Sequence, residues 1–453
     1  MPCRSPNSIA GFRAKLAVQA KKRSFAATFV ALLALGACSE REDILPGVRE
    51  PLTITEQTAP LQPVVSALSL PAQVRNQEAA QFEGSPAYRT VHPALAATPA
   101  LVWSARIGEG DSRKLRITAD PVVGGGRVYT LDAASAVTAV SMGGQIAWQT
   151  DIRPPRDAPG DATGGGLAYH EGRLYVSSGY GVLTALDAQS GDVLWSQQLD
   201  ATGSGRPLVV GDLVYLTAGD DTAWAVEAAT GRIAWQNTAS PSVANALGAP
   251  SPVWADQFVV FSFGSGELQA VFRQGGLRRW ESSVLGNRPG RALSSLDDVT
   301  AAPVYDGGVL FAGSVSGRTV AIDAASGARL WTAPEGAVDP VLPIAGSVFL
   351  INDKNELMRL DRDSGARLWA QPLPNFTSKR PRRASEIFSH HGPVLAGGRL
   401  WVASGDGLLR GFDPSDGSLS LSLALPGGAT TRPVVASGML FVVSRTGELL
   451  AYQ

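Results

Sequence analysis

Apolar and polar positions alternate in short runs broken by glycine, and one unit returns along the chain. Its reference copy is Ala321-Ile322-Asp323-Ala324-Ala325-Ser326-Gly327-Ala328-Arg329-Leu330-Trp331. An apolar strand runs into an Asp-x-x-Ser-Gly turn, and a second strand ends on tryptophan. The Asp323 carboxylate can accept backbone amides two residues on, and Gly327 can take positive φ without a Cβ clash. The same spacing, a ring four residues after a glycine, recurs at Gly144/Trp148, Gly191/Trp195, Gly231/Trp235, Gly276/Trp280 and Gly365/Trp369, while Gly417/Leu421 keeps the glycine and loses the ring.

Each copy has more strands ahead of this pair. Copies begin near Pro121, Gly166, Pro207, Pro252, Pro303, Pro340, Pro393 and Pro433. After a first glycine turn come runs such as Arg173-Leu-Tyr-Val, Val309-Leu-Phe-Ala and Met439-Leu-Phe-Val, β-branched and aromatic residues between turn residues, which predict strands. Successive tryptophan positions lie 38 residues (Trp331 to Trp369) to 52 residues (Trp369 to Leu421) apart, room for four short strands. The last copy stops three strands in, at Glu448-Leu-Leu-Ala-Tyr452. The missing strand stands alone at Leu101-Val102-Trp103-Ser104-Ala105-Arg106. Joining the two closes a ring and removes the open sheet edges. A solenoid would need polar caps at its ends, and neither end has that character. The prediction is an all-β, eight-bladed β-propeller of four-stranded antiparallel blades over 101–453. Trp103, Trp148, Trp195, Trp235, Trp280, Trp331 and Trp369 are expected between blades, with a weaker seam at Leu421.

Composition narrows the function. Fifty glycines and 30 prolines in 453 residues suit short strands and tight turns, and a net charge of −1 gives no nucleic-acid surface. The two cysteines, Cys3 and Cys38, precede the repeats, which leaves the repeat region no disulfide and no thiolate chemistry.

The N-terminal segment has its own pattern. Residues 1–37 hold six Lys/Arg and no acid, and the apolar run Phe25 to Leu35 has the form of a signal-peptide core. Its long basic lead leaves open a start downstream of Met1. Leu35-Gly36-Ala37-Cys38 follows and resembles the bacterial lipobox, in which the cysteine is lipidated and becomes the mature N-terminus; an ordinary small-residue cleavage site is the alternative. Ser39 resembles outer-membrane sorting. Without 1–37 the chain carries 33 basic and 40 acidic residues, near −7. Residues 38–100 are rich in Pro, Ala, Gln and Glu and are expected to form a lipidated, extended tether, with room for an ordered piece near 52–70.

Other chemistry is thin. His390-His391 would point to opposite faces of a strand and suits a blade start better than a metal pair. Asp220-Asp221 and Asp297-Asp298 read as exposed turn carboxylates. Lys379 to Arg383 reads as a solvated basic loop that could touch anionic headgroups or an acidic partner. Gly164 to Gly166 lacks the strand-to-helix context of a phosphate loop.

The turn and tryptophan pattern resembles the PQQ-type propeller repeat. Quinoprotein dehydrogenases share that repeat, but their vicinal cysteine pair is absent here and no calcium ligand set is recognisable, so a cofactor-bearing enzyme or ligand-binding propeller is the lesser alternative. Lipobox, tether and one eight-bladed ring together resemble the BamB family, the outer-membrane lipoprotein of the β-barrel assembly machinery. The resemblance implies a non-enzymatic scaffold without cofactor, lipid-anchored through Cys38 on the periplasmic face of the outer membrane. It implies binding to the POTRA domains of BamA, beside other lipoproteins of the complex and unfolded barrel substrates, through two loops. One corresponds to Ala244-Asn245-Ala246-Leu247-Gly248, where the arginine and leucines of the family motif are not kept. The other corresponds to Leu296-Asp297-Asp298-Val299-Thr300, in which Leu296, Asp298 and Val299 match and Thr300 replaces an aspartate.

Overall fold

A computed structural model describes residues 68–81, 90–199, 201, 205–240, 250–286, 299, 301–378, 380 and 386–453. Among these, 32 strands form eight four-stranded antiparallel sheets. Blades 1 to 7 span 122–151, 165–198, 208–238, 253–283, 301–333, 342–372 and 390–424. Blade 8 is split as the sequence suggested. Its first three strands, Val434–Ala436, Met439–Val443 and Glu448–Tyr452, are completed by Leu101–Arg106, which pairs antiparallel to Glu448–Tyr452. Ala100 and Gln453 exchange two backbone hydrogen bonds of 2.9 Å where the other blades have a covalent turn.

The core is a ring of seams. Eight clusters of buried apolar side chains occur, and each joins two neighbouring blades. The middle strands are buried on both faces, as in Leu213–Thr217 and Ser347–Ile351, and so read as continuous apolar runs. The outer strands alternate, as in Ile233–Thr238, because only one face meets the next blade.

The tryptophans occupy these seams, and the structure adds what spacing alone does not show. Each repeat glycine lies against the ring of the preceding blade. A Cβ on Gly327 would stand 2.7 Å from Trp280 Cδ2, and on Gly365 2.6 Å from Trp331 Cε3; the same pairing runs from Gly144 with Trp103 to Gly417 with Trp369. The indole then donates to the carbonyl that opens the next blade's turn, Trp280 to Ala324 O at 2.9 Å and Trp331 to Arg362 O at 2.8 Å. In the first blades a tyrosine reaches the same carbonyl: Tyr129 and Trp148 both donate to Ala188 O, at 3.1 Å each. Pro414 holds the corresponding place in blade 7, and Trp369 Nε1 is buried there with no acceptor among the described residues. Opposite each of Trp148, Trp195, Trp235, Trp280 and Trp331 stands an alanine, with a register shift beside it. Such a bulge bends the outer hairpin and aims the ring at its neighbour.

Residues 68–100 correct the tether expectation. Instead of extending away from the body, 68–81 and 90–100 lie on the ring. Leu68, Leu70 and Val91 pack against the cluster between blades 6 and 7. The chain then passes blade 8, where Ser437 N donates to Asn76 O at 2.7 Å, and blade 1, where Ala79 and Val123 exchange two bonds of 2.9 Å. Tyr169 N of blade 2 donates to Ala80 O at 2.7 Å. At blade 3 the Gln81 amide gives and takes one bond with the Val209 backbone, at 3.0 and 2.8 Å. His92 accepts from Gly398 N at 2.9 Å and bonds Pro71 O at 2.7 Å. The physical reason is that the innermost strand of a blade has one edge without a partner, and a composition too poor in apolar residues for a core can still satisfy that edge through its backbone.

Candidate functional site: the loop end of the ring and the channel mouth

Among the described residues, the strand ends from which the chain passes from the outer strand of one blade to the inner strand of the next lie at one end of the ring, opposite the strap formed by 68–81 and 90–100. Both loops singled out in the sequence make this passage: 239–252 joins blades 3 and 4, and 284–300 joins blades 4 and 5. Ala246, Leu247, Leu296, Asp297, Asp298 and Thr300 lie outside the described residues, as do Cys38 and the basic Lys379, Arg382 and Arg383. Val299 is described, and it is fully buried in the cluster of Trp280, Val284 and Val253. This burial places Val299 at the inner-strand side of the second loop, beside blade 5. At the other root, Gly286 N donates to Ser316 Oγ at 3.1 Å.

His390 and Asp221 have structural partners, whereas His391 lines the cavity at the channel mouth. His390 is buried at the start of blade 7, bonded to Ser404 Oγ at 2.8 Å and Pro374 O at 2.7 Å, and burial holds its pKa below the ordinary histidine value. Asp221 corrects the reading of an exposed turn carboxylate: it is buried, and its Oδ1 accepts Gly264 N at 2.7 Å, tying blade 3 to blade 4. The Asp-x-x-Ser-Gly aspartates behave as read. Asp323 accepts the Ser326 hydroxyl at 2.6 Å and its amide at 2.8 Å, and these bonds lower its pKa.

The same end of the ring holds a cavity of about 410 Å³ across the channel mouth. Its charged lining includes Asp120, Arg206, Asp339 and Arg432. Asp120 pairs with Arg206 at 2.7 Å and accepts Arg432 N at 2.8 Å. Sequence reasoning passed over these residues, although a signal was present: each stands directly before a blade-opening proline, at Pro121, Pro207, Pro340 and Pro433. That register faces the channel mouth.

Comparison with known proteins adds the family. A family model described as outer membrane protein assembly factor BamB matches residues 133–371 and 376–453. The chain belongs to the BamB family. The outer membrane protein assembly factor BamB of Yersinia pestis is 25% identical over 366 residues, which is 78% of this chain and 89% of that protein. Among solved structures, BamB from Moraxella catarrhalis has a TM-score of 0.63 at 18% identity, covering 79% of this chain and all of that one. A quinohemoprotein alcohol dehydrogenase from Pseudomonas putida has a TM-score of 0.62 at 16% identity, covering 80% of this chain and 78% of that one. The BamB and dehydrogenase structures thus share the ring almost equally, and the ring alone does not separate assembly factor from enzyme.

Proposed function

We propose that this protein is a non-enzymatic lipoprotein scaffold of the β-barrel assembly machinery. Lipidated Cys38 holds it at the periplasmic face of the outer membrane, and the ring docks on the POTRA domains of BamA and supports insertion of β-barrel proteins. The observation that carries this reading is the BamB family match, which spans the ring from 133 to its last residue. The chain positions of the two candidate loops support it further, since they connect blade 3 to blade 4 and blade 4 to blade 5, neighbouring blade junctions that one partner could span. In this reading Leu296, Asp297, Asp298 and Thr300 present the contact, Ala246 and Leu247 flank it, and buried Val299 fixes its root.

The test is binding of the purified protein to a soluble POTRA fragment of its host's barrel-assembly protein. Asp298→Lys is expected to weaken binding at least about tenfold, because a like charge brought against a basic partner costs on the order of a few kcal/mol. Thermal unfolding should be unchanged. Equal affinity of variant and parent would remove Asp298 from the contact.

A further inference from the structure

Two arginines at the channel mouth are arranged around a single carboxylate that is already engaged. Asp111 is nearly buried; its Oδ1 accepts Ile117 N at 2.9 Å and its Oδ2 accepts the Thr430 hydroxyl at 3.0 Å. Arg116 Nη1 and Arg445 Nε each lie 3.9 Å from that Oδ2, beyond hydrogen-bond reach, and each side chain is 47% exposed. Neither guanidinium makes a side-chain hydrogen bond among the described residues. Two permanent positive charges therefore share one negative charge at one point. The acids deeper in the cavity do not relieve this: Asp120 is taken by Arg206 and Arg432 N, and Asp339 accepts Gly392 N at 2.8 Å. Glu386, the fourth acid of the lining, is exposed at the rim.

We propose that Arg116 and Arg445 form a clamp for an oxyanion, the carboxylate or phosphate group of a small molecule that enters the channel from this end. The planar guanidinium presents paired N–H donors that match either group, and such charge-assisted bonds are stronger than neutral ones. The cavity volume of about 410 Å³ is that of a small-molecule site, not of a single ion.

Titration calorimetry of the detergent-solubilised full chain with succinate, and separately with inorganic phosphate, tests this at constant ionic strength. At least one probe should bind saturably with a Kd near or below about 1 mM. Which one binds distinguishes a carboxylate from a phosphate ligand. Arg116→Gln and Arg445→Gln should each weaken it at least about tenfold, whereas Asp111→Asn, which removes the competing charge, should tighten it. Arg113→Gln, an exposed arginine of the same loop, should leave it unchanged. Both glutamine variants alter half-exposed side chains and should keep cooperative unfolding, so they decide the matter even if Asp111→Asn does not fold. No saturable heat with either probe, binding that survives both variants, or equal loss in Arg113→Gln would overturn the clamp.

Discussion

Gly327 meets two demands at once. Its φ is +76°, which a side chain adopts at a cost, and its missing Cβ leaves room for the Trp280 ring of the preceding blade. Gly346 separates the two, since it has φ of +71° and nothing within 4 Å of a built Cβ. Gly346→Ala should then lose about 1 kcal/mol from backbone strain alone, and Gly327→Ala about 1–3 kcal/mol more from overlap with the indole. Chemical denaturation of the two variants checks this, and equal losses would mean the seam has slack. At this scale the sequence shows the repeat but not the contact. Glycine and tryptophan stand four residues apart in one copy, whereas each touches its counterpart in a neighbouring copy, a relation that only ring geometry supplies. Asp221 looks exposed in the sequence for a related reason, yet it is buried. A short motif between turn residues looks exposed until the neighbouring blade is placed over it.

At the scale of elements, the blades were legible because period-two alternation and glycine turns are local signals. The strap was not, because it has neither. Its affinity for the ring comes from backbone groups and the Gln81 amide meeting the inner edges of the blades, and backbone donors and acceptors are the same in every residue but proline. Ala79→Pro removes the donor that reaches Val123 O at 2.9 Å. The strap should loosen locally, with a cost of about 1–3 kcal/mol for the lost and the orphaned partner. Hydrogen exchange reads this directly: the Val123 amide, which donates to Ala79 O, should lose protection while amides of the outer strands keep theirs. Unchanged protection at Val123 would mean that the strap contributes nothing to holding blade 1.

For the whole molecule, closure is the organising fact. The strand Leu101–Arg106 completes blade 8, so the ends of the ring meet within one sheet. The one seam without a repeat tryptophan is also explained here. Leu421 faces blade 8, whose outer hairpin has no covalent turn and therefore no glycine to receive an indole. The buried Trp401 and the Tyr452 hydroxyl, bonded to Ala424 O at 2.8 Å, occupy that seam instead. Trp401 and Tyr452 thus supply ring packing at the seam where Leu421 lacks it. The proposed function rests, in the sequence, on the likeness of Leu35-Gly36-Ala37-Cys38 to a lipobox taken together with the ring, because the ring fold is shared with a dehydrogenase structure. The two loops named by the resemblance depart from its motifs at Ala244, Ala246 and Leu247 in the first and at Thr300 in the second.

The central claim is membership of an assembly machine in the outer membrane. The most direct measurement is affinity purification of the tagged full-length protein from detergent-solubilised membranes, with mass spectrometry of what accompanies it. Membership predicts near-stoichiometric recovery of a POTRA-bearing barrel protein together with other assembly lipoproteins. Recovery of the tagged protein without them, or with a dehydrogenase partner or cytochrome in their place, would contradict it.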